Sequence, residues 1–199
     1  KHGFLLVFDE VITGFGRMGT AFATQKFNVK PDIITMAKAL TNGAIPMGGV
    51  AVTDEIYNTV TDAAPEDAIE FFHGYTYSAH PAACAAGIAT QKIYQSEGLF
   101  ERAAALEDYF LDAVWTLQDH PLVTDVRGIG LMAGVELVSD GVAGHRGVQM
   151  QKAMFWNGLH VKFTGDNAII APAFVAERKH VDEIVDKFRS SLDAALEAK

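Results

Sequence analysis

The stretch Phe4-Leu5-Leu6-Val7-Phe8-Asp9-Glu10-Val11-Ile12-Thr13-Gly14-Phe15-Gly16-Arg17-Met18-Gly19 decides the fold class. It opens on a near-continuous apolar run, the pattern of a strand covered on both faces by helices in a parallel sheet. The run closes on two acids, Asp9 and Glu10, and passes into a glycine-rich loop. Reading outward, residues 20–27 fit a short helix. Pro31-Asp32-Ile33-Ile34-Thr35-Met36 reads as a second strand ending at Ala37-Lys38, and Gly48-Gly49-Val50-Ala51-Val52 as a third. Strands roughly 15–30 residues apart with helical segments between them define a layered α/β class. Only Lys1-His2-Gly3 precedes the first strand, without an initiator Met. The chain is therefore expected to be the C-terminal portion of a larger protein that supplies the covering elements.

Residues 61–80 show no clear period and read as loop. Pro81 opens an alanine-rich helix, since proline is favoured at a first helical position. Leu106, Tyr109, Phe110, Ala113, Val114 and Leu117 recur at helical spacing in a second helix over residues 99–117. Residues 123–126 and 129–137 flank Arg127-Gly128, expected as a tight turn or bulge between strands. Residues 148–156 read as a helix closed by Gly158. Residues 160–163 and 168–171 form a hairpin signal around Gly165-Asp166-Asn167. Val181, Ile184, Val185, Phe188, Leu192 and Leu196 stripe a final amphipathic helix. This second part reads as a small α+β unit. Its boundary is expected at Ser96-Glu97-Gly98, which gives an incomplete first domain of residues 1–97 and a second of residues 98–199.

The charge balance excludes one function class. With 16 Lys and Arg against 25 Asp and Glu, the net charge is −9, and phosphate neutralisation needs clustered bases that the chain lacks, so a nucleic-acid partner is not expected. Cys84 is the only cysteine, which forbids an internal disulfide and fits a reducing, cytoplasmic compartment. No apolar run nears the ~18–20 residues that span a bilayer, so no membrane partner is expected. Acids interrupt residues 1–30 where a signal peptide needs its apolar core.

Gly14, Gly16 and Gly19 match G-x-G-x-x-G literally. A dinucleotide site needs the strand to end at the first glycine and an acid to close the next strand. Here Asp9 and Glu10 intervene, and Asp32 begins its strand. The informative pair is instead Asp9 and Lys38, each at the end of an apolar strand, about the ~30 residues of a βαβ unit apart. Both would stand at the carboxyl edge of one sheet, where ligands of open α/β sheets bind. From spacing alone two readings stay open: a strand-end ion pair, or pyridoxal phosphate chemistry with the amine on the aldehyde and the carboxylate on the ring nitrogen. Arg17 reads as a brace of the glycine loop. His73 and His80 read as loop hydrogen-bonders, with no metal expected, and Met132, Met154 and Trp156 as core.

Residues 8–19 and Lys38 in Thr35-Met36-Ala37-Lys38-Ala39-Leu40 resemble the class III aminotransferases, pyridoxal-phosphate enzymes of fold type I. The resemblance continues through His73-Gly74-Tyr75-Thr76-Tyr77-Ser78-Ala79-His80-Pro81, Arg127-Gly128-Ile129-Gly130-Leu131-Met132 and Thr164-Gly165-Asp166, and so covers essentially the whole chain. It implies an α/β fold: part of the type I large domain followed by a small α+β C-terminal domain. It also implies pyridoxal 5'-phosphate as cofactor. Asp9 matches the family's ring-nitrogen partner and Val11 the residue against one ring face. Lys38 matches the Schiff-base lysine, which afterwards acts as general base. Thr76 matches the threonine that reaches the cofactor phosphate of a neighbouring subunit, so a homodimer or tetramer is expected. The family's phosphate loop and ring-stacking aromatic belong upstream.

Ile12 stands where glutamate-linked members commonly have Gln. Residues 73–81 and 160–166 are similar to the ω-amino acid–pyruvate branch, which includes β-alanine–pyruvate enzymes. Lys162 occupies the place of the branch's carboxylate-binding arginine and offers a point charge without the bidentate fork. The activity implied is transfer of an amino group from an ω-amino acid or amine to pyruvate or a similar oxo acid. The alternatives are a glutamate/2-oxoglutarate-linked enzyme, an aminomutase, or an inactive truncated chain.

Overall fold

In the computed structural model, which describes residues 2–68, 71 and 73–197, the apolar opening of the chain enters β1 (Val7–Asp9). β1 pairs in parallel with β2 (Ile33–Met36), Val7 opposite Ile33 and Asp9 opposite Thr35. β3 (Gly49–Val52) runs antiparallel to β2, Ile33 opposite Val52 and Met36 opposite Gly49. Between β1 and β2 lies α1 (Ala23–Phe27), and α2 (Asp54–Asp62) follows β3. α3 (Pro81–Ser96) starts at the expected proline. These elements belong to the first of two units, Lys1–Gly16 with Thr20–Leu99; the second is Arg17–Gly19 with Phe100–Lys199.

The opening strand, expected to take its cover from outside this chain, is open: Phe4 is 87% exposed, and Leu5, Leu6 and Val7 are exposed as well. The sheet has three strands, and α2, which follows it, buries none of its residues. One expectation for the first unit needs correction. The loop assigned to residues 61–80 begins only after α2, whose last turn includes Thr61 and Asp62. Ile69, Glu70 and Phe72 of that stretch lie outside the described residues. α2 has a signal at its start: Thr53 precedes Asp54 and Glu55, acids in a first turn where the helix dipole favours them.

The second unit is closed around a core. Its sheet has the order β4 (Val123–Ile129), β5 (Met132–Leu137), β7 (Asn167–Ile170), β6 (Lys162–Thr164), antiparallel throughout. α4 (Leu99–Trp115), α5 (His145–Trp156) and α6 (Arg178–Glu197) accompany it. Phe110, Val114, Val135, Met150, Met154, Val181, Phe188 and Leu192 form one buried cluster. Removing a ring of the Phe188 kind from such a site costs roughly 3–5 kcal/mol.

Arg127 and Gly128 are neither turn nor bulge: they are paired strand residues of β4, opposite Gly134 and Ala133. The turn falls at Gly130-Leu131, with Gly130 at φ +60°. A Cβ on Gly128 would meet Leu111 Cδ2 at 2.6 Å, so that glycine serves close packing. Arg17 braces this turn. The Leu131 N–H donates to the Arg17 carbonyl at 2.9 Å, and the guanidinium donates to the carbonyls of Leu131 and Pro172 at 2.9 and 2.6 Å. Trp156, expected in the core, is 85% exposed. The buried positions of α5 are Arg146, Gly147, Met150 and Met154, and the helical period turns residue 156 away from them. No helix of the described residues is long and apolar enough to cross a membrane.

Candidate active site

The acid pair that closes β1 is split between two faces, as a strand's alternation requires. Glu10 is 1% exposed. It accepts the N–H groups of Ala23 and Thr24 at 3.0 Å each and the Thr13 hydroxyl at 2.5 Å, tying the glycine loop to the start of α1. Asp9 is exposed. Its Oδ1 accepts the Val11 N–H at 3.1 Å and the Thr35 hydroxyl at 3.2 Å. Val11, half-buried, follows immediately.

Lys38 stands two residues beyond the end of β2, at the first position of a 3-10 turn, Lys38–Leu40. β1 and β2 are parallel, so Asp9 and Lys38 occupy the same edge of the sheet, and Val11 lies just past it. Lys38 is exposed and takes the left-handed conformation, φ +43°. For a residue with a Cβ that conformation costs roughly 1–2 kcal/mol. The turn is held from α3: the Tyr94 hydroxyl donates to the Ala39 carbonyl at 2.8 Å and the Gln91 amide to the Leu40 carbonyl at 3.3 Å. Thr41, buried, donates to the Ile45 carbonyl at 2.6 Å. Tyr94 and Gln91 carry no motif that would have singled them out in the sequence.

Thr76 is exposed in the loop before α3, where it lines a cavity of about 670 Å³ with residues 45–48 and the rest of 74–80. Asp9, Val11 and Lys38 are not among the lining residues. Lys162 opens β6 in the second unit and is exposed. Its hairpin is anchored at the turn, where Asp166 accepts the N–H groups of Gly144 and Gly147 at 3.3 and 2.9 Å, at the start of α5. Gly147 has to be glycine, since a Cβ there would sit 1.9 Å from the Gly165 carbonyl oxygen.

The aminotransferase class-III family matches this chain over residues 1–192. The chain belongs to the class-III aminotransferase family. These are pyridoxal-phosphate-dependent enzymes, and the mixed helix-and-sheet fold is that of part of a fold type I transaminase. This aminotransferase chain is 49% identical over 193 residues to an omega-aminotransferase of Caulobacter vibrioides, covering 96% of the chain and 44% of that protein. It is 41% identical over 199 residues to an omega-amino acid–pyruvate aminotransferase of Pseudomonas putida, covering 99% of the chain and 44% of that protein. An (S)-enantioselective omega-transaminase from Thermomicrobium roseum superposes with a TM-score of 0.88 at 40% identity, over 98% of the chain and 44% of that structure. The chain thus spans about 44% of the length of these curated relatives.

Proposed function

We propose that this class-III aminotransferase takes part in moving an amino group from an ω-amino acid or amine to pyruvate or a similar oxo acid. In this reading residues 1–97 are the C-terminal part of the large cofactor-binding domain and residues 98–199 the small domain. The observation that carries it is the shared edge of Asp9 and Lys38 on β1 and β2. The donor set suits pyridoxal phosphate: a carboxylate for a protonated pyridine nitrogen, a primary amine for an aldehyde. When bound, that cofactor supplies an electron sink for charge developing at the substrate's amine-bearing carbon.

With that cofactor bound, Asp9 would keep the ring nitrogen protonated through the carboxylate oxygen that Thr35 and Val11 leave free, and Lys38 Nζ would hold the aldehyde carbon and serve as general base at the substrate carbon. Val11 would pack against the ring. Thr76 would donate its hydroxyl to the phosphate held by a partner subunit, which makes a homodimer or a tetramer the working form. Lys162 draws the carboxylate of the amino or oxo acid by charge. The single cysteine supports a cytoplasmic location. The pyruvate branch is supported by 49% and 41% identity to omega-aminotransferases.

The test is alanine formation from pyruvate by the full-length protein loaded with pyridoxal phosphate, with β-alanine as donor and 2-oxoglutarate as a competing acceptor. Alanine formation is expected. No alanine, or preference for 2-oxoglutarate, overturns the reading.

A further inference from the structure

Lys38 sits in a left-handed conformation that groups on both sides of its turn hold. At φ +43° it lies where an L side chain is strained, and no side chain caps the start of the Lys38–Leu40 turn. Strain of this kind persists only where surrounding groups fix it. Two of the groups that do so come from α3. Tyr94, 5% exposed, donates its hydroxyl to the carbonyl of Ala39, the residue directly after Lys38. Gln91, three residues earlier on the same helix, donates to the next carbonyl, that of Leu40. Lys38's own carbonyl accepts the N–H groups of Thr41 and Gly43, which close the turn from the far side.

A phenylalanine would fill the space of the Tyr94 ring, so what tyrosine adds at this buried position is the hydroxyl and its bond to the Lys38 turn. We propose that Tyr94 is a positioning residue for Lys38, acting through the Ala39 carbonyl. It holds the backbone left-handed and so aims Nζ along the sheet edge shared with Asp9. Without that bond Lys38 relaxes toward φ < 0, its side chain leaves the Cα at a different angle, and the amine meets an aldehyde from fewer productive orientations. The proposal rests on the reading of Lys38 as the cofactor-binding lysine.

The experiment follows covalent attachment, not turnover. Cofactor-free full-length protein is mixed with pyridoxal phosphate, reduced with borohydride at timed intervals, and digested for mass spectrometry. Label on Lys38 is measured against label on Lys92, an exposed lysine that serves as internal reference. Thermal unfolding of each variant gives the folded fraction by which labelling is normalised. In the wild type Lys38 is labelled ahead of Lys92. Tyr94→Phe is expected to slow labelling of Lys38 about tenfold while Lys92 is unchanged, the size of effect that one buried hydrogen bond supports. Gln91→Leu lowers the Lys38 to Lys92 ratio by a smaller factor, and it decides the matter if Tyr94→Phe does not fold. An unchanged ratio in Tyr94→Phe (or in Gln91→Leu, if Tyr94→Phe does not fold), or a loss that merely tracks the loss of folded protein, overturns the proposal. If wild-type Lys38 takes no label, the reading of the site falls and this inference falls with it; a labelled wild type with an unaffected Tyr94→Phe refutes the inference alone.

Discussion

Thr35 donates its hydroxyl to Asp9 Oδ1 at 3.2 Å across the parallel pair in which the two residues stand opposite each other. The Val11 N–H donates to the same oxygen at 3.1 Å. Both bonds fall on one oxygen, which fixes the rotamer, and no described residue donates to Oδ2. A carboxylate accepts on both oxygens, so the second remains an open acceptor at the sheet edge. The short side chain of Thr35 is thereby part of how Asp9 presents itself.

Asp9→Asn replaces that acceptor by an amide that cannot hold a protonated ring nitrogen. Transamination by the full-length enzyme is expected to fall by about two orders of magnitude or more, the contribution of a correctly placed proton. Cofactor retention falls less. Thr35→Val, which removes one of two bonds to Oδ1, lowers turnover by roughly tenfold or less. Steady-state kinetics with cofactor content measured on the same samples tests both, and near-wild-type turnover in Asp9→Asn refutes its role.

The left-handed backbone at Lys38 gives a stability prediction that is independent of catalysis. Lys38→Gly and Lys38→Ala both remove the amine, but only glycine takes φ +43° without a Cβ clash. Lys38→Gly is expected to be more stable than Lys38→Ala by about 1 kcal/mol, with both inactive. Denaturant unfolding of the two variants measures the difference. Equal midpoints would mean that the turn relaxes and that the conformation is not enforced.

Lys162 stands exposed at the start of β6, on a hairpin whose turn Asp166 anchors. If it draws the substrate carboxylate, Lys162→Ala raises KM for pyruvate about tenfold with kcat little changed, because one charge-assisted contact is lost. Lys162→Arg lowers KM, since the guanidinium offers two parallel bonds to a carboxylate. An unchanged KM in Lys162→Ala removes the contact from the scheme.

Asp140 is held below its ordinary value of 3.8, first by the hydrogen bond from His145 and then by the Val142 N–H. A carboxyl whose folded value is depressed stabilises the fold above its unfolded value, and that stabilisation is lost as pH falls through the lower, folded value. Glu177 and Glu183 are depressed in the same direction by Lys179 and Lys187. Thermal unfolding of the second unit is therefore expected to drop as pH is lowered from about 4.5 through the carboxylate range. Asp140→Asn flattens only part of that drop, since the two glutamates still contribute. A curve of unchanged slope in Asp140→Asn would show that the contact with His145 adds nothing in solution.

What the sequence disclosed divides along physical lines. β2, β3, α3, α4 and α6 were legible because an apolar run, a proline or a helical stripe marked each one. α2 was missed although Ile56, Tyr57 and Val60 recur at helical spacing after Thr53 and two acids, because a nine-residue helix repeats that stripe only once. The β4–β5 turn was misplaced by three residues, with Gly128 taken for the turn glycine in place of Gly130; the first serves packing against Leu111 and the second a φ of +60°. Trp156 read as core, but helix phase turns it outward. At the site, Asp9 and Lys38 were legible as strand ends. Glu10 read as half of an acid pair until the fold turned it onto α1. Tyr94 lies 55 residues from the carbonyl it holds, a contact that exists only once α3 is in place.

The two units differ in how much apolar surface they enclose, and this gives the last prediction. In the second, helices α4–α6 and four strands enclose one cluster in which Phe110, Val135, Met154, Val181 and Phe188 are fully or almost fully buried. In the first, Phe4, Leu5, Val7, Val50 and Val52 are exposed on or beside the sheet. Such open apolar edges pair with other chains. Residues 100–199 alone are expected to unfold cooperatively, while residues 1–99 alone aggregate, and the 199-residue chain is aggregation-prone and inactive because its sheet stays open. The separated second unit also loses Arg17–Gly19, and with it the carbonyl that accepts the N–H of buried Leu131. An unmet buried donor costs about 1–3 kcal/mol. A peptide of residues 17–199 should therefore melt several degrees above one of residues 100–199, provided its extra sheet does not precipitate it. Calorimetry on the two peptides, with light scattering as a control, decides between the outcomes: a non-cooperative transition for residues 100–199 would mean that the second unit cannot fold without the first.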